Sequence, residues 1–136
     1  MKRATREWVR KAEKDYRFAE RNAHSREPFH DQLCFLCQQA SEKYLKALQE
    51  ERGIAVPRTH LLKDLLALLA PHDPTLLSLR RGLTFLTRFA VETRYPGDSA
   101  SRRDAEAALR WAGKIRNTCR TLLGLRPPRR GKGTGA

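Results

Sequence analysis

The chain has 136 residues, long enough to bury one core without disulfides or metals, and its 28 basic and 15 acidic residues leave a net charge of +13. Three cysteines, an odd number, give no disulfide framework, no apolar run approaches the ~18 residues of a membrane span, and the opening MKRATREWVRKAEKDY carries no signal-like apolar core. Alternating runs of Val, Ile and Thr, the mark of strands, are missing, so one all-α, cytoplasmic domain is expected, with a charge suited to RNA, DNA or an acidic protein partner.

In chain order, five helical segments are predicted. The first covers about residues 5–22, with Thr5 as its N-cap. Trp8, Val9, Ala12, Tyr16, Ala19 and Ala23 share one arc, Arg10, Lys14, Arg17 and Arg21 lie outward, and Asp15 sits at the edge. After His24-Ser25-Arg26-Glu27-Pro28, the second runs over about residues 29–51 and stops at Gly53. Leu33, Leu36, Cys37, Ala40, Tyr44, Ala47 and Leu48, flanked by Cys34, Ser41 and Leu45, fill an apolar arc about half the helix wide. An arc wider than the usual ~100° suits packing against two neighbours. Opposite lie Gln39, Glu42, Lys43, Lys46 and Glu50, with Phe35 among them.

Ile54 to Pro57 reads as extended. A short third helix starts near Thr59 or His60, carries Leu61, Leu62, Leu65, Leu66, Leu68 and Leu69, and is broken by Pro71 and Pro74. The fourth runs from Pro74 to about Glu92 with Leu76, Leu79, Leu83, Leu86 and Ala90 inward, Phe85 and Phe89 beside them, and Arg80, Arg81 and Arg88 outward. Arg94-Tyr95-Pro96-Gly97-Asp98 is a turn. Ser101 followed by Asp104 opens the last helix, which buries Ala108, Trp111, Ala112, Ile115, Cys119 and Leu122.

The expected architecture is an up-and-down bundle of four longer helices plus one short helix, residues 1–125. A basic Pro/Gly-rich tail, residues 126–136, is expected to be disordered. Its four basic residues, taken from +13, leave +9 on the bundle, so the charge bias is not confined to the tail.

Gln39, Glu42, Lys43 and Lys46 stand at helical spacings i, i+3, i+4 and i+7 and so share a face. That face reads in two ways. It is a solvated surface laced with intrahelical ion pairs, or it is a polar groove at a dimer seam holding a phosphate or an RNA segment, with Phe35 marking the interface. Arg94 and Tyr95 divide likewise between binding a phosphate and stacking on a base, and closing a helix end. His60 reads as a hydrogen-bonded structural histidine, with no carboxylate evident beside it. Cys34 and Cys37 form a CxxC one turn after His30, but a fourth-ligand set is missing, so these read as buried thiols and no metal or cofactor is expected.

Taken together, Trp8, Lys11-Ala12-Glu13, Asp15, Cys34-Phe35, Gln39-Ala40-Ser41-Glu42-Lys43, Lys46-Ala47, His60 and Arg94-Tyr95-Pro96 stand in an order that resembles the HEPN family, small helical domains often linked to nucleotides or RNA. The resemblance covers about residues 5–123. It implies a bundle of four to five helices, a homodimer, and a small nucleotidyltransferase partner in modules of toxin–antitoxin type. Toxins of that family are metal-independent ribonucleases using an arginine and a histidine a few residues apart near the loop before the final helix.

This chain departs from that pattern, because no histidine follows Arg94 and His72 is the last in the sequence. Arg17 and His24 have a comparable separation but lie at the end of the first helix. The expectation is therefore a non-catalytic nucleotide- or RNA-binding and protein-interaction module, with Gln39, Glu42, Lys43, Lys46, His60, Arg94 and Tyr95 as its ligand-binding residues. The alternatives are a toxin ribonuclease with a degenerate site and a purely structural subunit.

Overall fold

The computed structural model describes residues 1–91 and 95–125, and within them the chain is helical without strands. Helices α1 (Arg3–Arg21), α2 (His30–Arg52), α3 (Leu62–Leu69), α4 (Arg80–Thr87) and α5 (Arg102–Leu122) follow one another, with a 3₁₀ segment, Pro74–Leu79, leading into α4. None of these helices is long and apolar enough to cross a membrane. Arg94 and the tail 126–136 lie outside the described residues.

α2 is the central post. Cys34, Cys37, Ala40, Tyr44, Leu45 and Leu48 are buried around most of its circumference, as its wide apolar arc demands, and it touches α1, α3, α4 and α5. α1 runs antiparallel to it: Lys2 Nζ donates to the Glu50 carbonyl at 3.0 Å, at the far end of α2. α5 runs parallel to it. The Ala100 N–H meets Asp31 Oδ1 at 2.6 Å at one end, and Arg52 Nη2 donates to the Leu122 carbonyl at 3.2 Å at the other. Arg52 also forks onto Asp73, tying the 3₁₀ entrance to the ends of α2 and α5.

The termini mostly follow local rules. Gly53 stops α2 in the left-handed region at φ +72°, where a side chain would be strained. Ser101 and Asp104 close a complete capping box on α5, each accepting the other's backbone N–H at 3.0 Å.

Three boundaries differ from the sequence reading. α1 begins at Arg3, and Thr5 lies inside it, buried, donating at 2.9 Å to Glu51 Oε1 instead of capping the helix. α3 begins at Leu62, because Thr59 Oγ1 accepts the Leu61 N–H at 3.1 Å and holds residues 59–61 in a turn. The fourth helix is interrupted and short: Thr87 Oγ1 donates to the Leu83 carbonyl and accepts the Leu62 N–H at 3.3 Å, so the end of α4 is spent on the start of α3. Trp111 is half-buried on α5 and covers Gly82 of α4 instead of entering the core.

A second polar knot holds the three long helices together. Tyr44, fully buried, donates to Glu13 of α1; Arg116 of α5 forks onto the same carboxylate, with Nη2 at 2.8 Å from Oε2. Arg120 donates to the Tyr44 hydroxyl at 3.4 Å, and the Arg116 guanidinium lies 4.7 Å from the Tyr16 ring. Burial, and then the Glu13 carboxylate it bonds, push the Tyr44 phenol pKa up, so it stays a neutral donor.

Candidate functional site

The face of α2 that carries Glu42 is not a solvated surface, because α1 and the segment before α3 close over it. Glu42 and Lys46 keep only 5% and 9% of their side-chain surface exposed. Glu42 accepts from three donors through its two oxygens. Oε1 takes Gln38 Nε2 at 3.0 Å and His60 Nδ1 at 2.9 Å, and Oε2 takes Lys46 Nζ at 2.9 Å. Gln39 enters this network one step out, donating to Gln38 Oε1 at 2.8 Å. Lys46 Nζ also lies 5.6 Å from the Trp8 ring centre, a cation over an aromatic face of α1.

Burial works to raise the Glu42 pKa, but the hydrogen bonds from Lys46, His60 and Gln38 outweigh it and hold the carboxyl below its ordinary value. An ionised carboxylate only accepts, so His60 Nδ1 is the donor and carries the proton. The imidazole itself is 65% exposed, and its Nε2 has no partner among the described residues. A buried anion therefore orients an exposed ring so that one nitrogen faces outward as a defined hydrogen-bonding group. The expectation that no carboxylate stands beside His60 is corrected here; the partner comes from 18 residues earlier, through the fold.

The other expected site residues are placed differently. Lys43 turns to α1 and pairs with Asp15 at 2.5 Å, so both lysines of this face are matched by carboxylates within the chain. Tyr95 stands apart from the cluster. Its ring is 80% exposed at the head of a turn closed by the Asp98 N–H on its carbonyl at 2.9 Å, with Gly97 at φ +87°. Phe35 is half-buried in the single chain. Two members of the cluster were not anticipated: Gln38, whose i to i+4 spacing to Glu42 was a readable signal, and Trp8, assigned to the core arc of α1. No group of three or more His, Cys, Asp or Glu side chains among the described residues is placed to hold a metal.

Glu13 behaves like Glu42: burial raises its pKa, and its bonds to Arg116 and Tyr44 outweigh that and lower it. Both folded pKa values thus lie below the unfolded ones, about 4.3 for Glu. The stabilisation they give is complete above that pH and is lost as pH falls through the depressed folded values. Urea unfolding followed from pH 7 downward should show a level midpoint that drops below about pH 4.3, with a smaller drop in Glu42→Gln. A midpoint unchanged to pH 3 would sink this linkage.

Comparison with known proteins bears on the family and the fold. The sequence profile described as HEPN domain matches residues 5–122. The chain belongs to the HEPN family. Its HEPN fold superposes on the crystal structure of an archaeal HEPN homologue with a TM-score of 0.72 and 27% sequence identity, covering 90% of this chain and 99% of that one. No curated protein gives a significant match. The all-helical fold and the family assignment made from Trp8, the α2 face and Arg94-Tyr95-Pro96 therefore hold.

Proposed function

We propose that this HEPN domain is a cytoplasmic nucleotide- or RNA-binding and protein-interaction module, non-catalytic by itself, that acts with a small nucleotidyltransferase in a toxin–antitoxin-like pair. The observation carrying the binding reading is the exposed His60 imidazole, oriented by buried Glu42 and so preorganised to meet a phosphate oxygen or a base edge. Tyr95 adds an open ring on which a base can stack, and Arg94 precedes it in sequence. Exposed arginines over α1 and α4 supply sequence-independent attraction to the backbone. Phe35 is assigned to the homodimer seam, where its half-open ring would be covered.

The non-catalytic assignment rests on charge and on sequence. Cleaving a phosphodiester requires an unspent cation and proton-transfer groups around the phosphate. On the α2 face, Lys43 and Lys46 are held in ion pairs with Asp15 and Glu42, and no histidine follows Arg94. One observation favours the ribonuclease alternative, namely the Glu42–His60 pair, since a carboxylate-oriented imidazole is also the arrangement of a general base.

Fluorescence anisotropy with labelled single-stranded RNA separates these readings. Binding that weakens steeply with salt, and about tenfold in His60→Ala, supports the module. RNA cleavage by the purified protein in chelator, abolished in His60→Ala, would make it a nuclease instead. Failure to bind RNA or nucleotide, with a protein partner co-purifying, would leave a structural subunit.

A further inference from the structure

A hollow of about 980 Å³ lies away from this cluster, between the α1–α2 connection and one face of α5. It meets α2 at His30 and Leu33, so it begins about 13 Å along the helix from Glu42, at 1.5 Å per residue. On α5 the lining residues fall into two parallel rows. Ala105, Leu109 and Gly113 form an apolar row at i, i+4 and i+8. Arg102, Glu106, Arg110 and Lys114 form a rim beside it at the same interval. Gly113 also faces inward, where a Cβ would stand 3.2 Å from the Tyr16 hydroxyl, a tight contact.

The far wall is the connection itself, which brings Arg26 and the half-buried Phe29. Arg102 is matched by Glu106 at 3.0 Å, whereas Arg110 and Arg26 make no ion pair among the described residues. Counting the lining side chains, four Arg and Lys against two Glu leave the groove at +2. A smaller hollow of about 260 Å³ continues it and shares Asn22, Phe29 and Leu33. Beside that hollow stands Phe18, 56% exposed.

The shape suits one kind of occupant. From Arg102 to Asn117 the groove follows α5 for about 22 Å, the length of a helix of about 15 residues. Arg110 and Lys114 are one turn apart, about 6 Å in rise, which is also the spacing of carboxylates four residues apart on a partner helix. The small residues of the apolar row allow a second helix to approach closely. A second copy of this chain, or its own residues 126–136, would bring more positive charge to a positive groove. Single-stranded RNA fits less well: the rings of the hollow, Tyr16 and Phe29, stand off α5, and the row Ala105, Leu109 and Gly113 that runs its length offers none for successive bases to stack on.

We propose that this groove seats an acidic amphipathic helix of a partner protein, its carboxylates over Arg110 and Lys114 and its apolar face on Leu109 and Leu33, with one large apolar side chain entering the hollow beside Phe18. The proposal goes beyond RNA recognition at His60 and is independent of it.

The test uses the full chain and three fluorescein-labelled probes: a helical peptide of about 16 residues with Leu on one face and Glu at every fourth position, the same peptide with Lys for Glu, and oligo(U). The acidic peptide should bind about tenfold or more tighter than the basic one. Its amide shift perturbations should centre on Leu33, Leu109 and Gly113. Arg110→Glu with Lys114→Glu should cost the acidic peptide about tenfold and gain affinity for the basic one. Both side chains are exposed, and circular dichroism checks the fold; Arg110→Gln with Lys114→Gln serves if the reversal unfolds it. Equal affinity for the two peptides, or shifts elsewhere, would overturn the proposal. Displacement of the peptide by oligo(U), with the same shifts, would make the groove a nucleic-acid site instead.

Discussion

Glu42→Ala is expected to destabilise the domain by about 3–5 kcal/mol, because it strands the buried Lys46 ammonium and leaves Gln38 without its acceptor. Lys46 would keep only the Trp8 face, and contacts of that kind are worth roughly 0.5–2 kcal/mol. Urea denaturation with linear extrapolation measures the loss. The companion variant Glu42→Leu with Lys46→Met should recover much of it, since replacing a buried pair by apolar side chains of similar volume is often neutral or better. His60 would be freed in both, so RNA binding should stay weak even where stability returns. A loss under about 1 kcal/mol in Glu42→Ala would mean that water reaches Lys46 and that the cluster is less closed than described.

Gly82→Ala is the second large effect, and here two tendencies oppose. In a helix, alanine is favoured over glycine by roughly 0.5–1 kcal/mol. At this position, however, the new Cβ would lie 2.1 Å from Trp111 Cε3 and 2.3 Å from Cδ2. The obstacle is the body of an indole, not the free end of a chain, so α4 and α5 must separate or the ring must turn. Overpacking of this kind costs about 1–3 kcal/mol, and it should prevail. The cost should shrink when Trp111 is already leucine, which a double-mutant cycle reads directly. If Gly82→Ala instead raises the urea midpoint, the α4–α5 contact is wrong as described.

Much of the bundle could be read from residue order because the signals were local. The apolar arc of α2, the Gly53 stop and the Ser101–Asp104 box need nothing beyond their own segment. The end of the fourth helix was not readable, since it depends on Thr87 meeting Leu62, 25 residues away. The same holds for the site. Glu42, Lys43 and Lys46 have the spacing of an exposed, self-paired face, and only their partners Trp8, Asp15 and His60, on other elements, show why they are covered. Charge spacing along one helix says which groups can meet, not whether water is among them.

The three cysteines carry a practical consequence. Cys34, Cys37 and Cys119 are wholly inaccessible, and burial raises the thiol pKa of Cys37 and Cys119 far above the ordinary range. Since the thiolate is the reactive form, alkylating reagents meet neither an exposed nor an ionised sulfur while the bundle is shut. Cys37 lies on α2 and Cys119 on α5, so modification at each reports how often its own helix comes away. The molecule thereby carries its own clock for local opening, and adding RNA or a partner peptide should slow the helix it clasps.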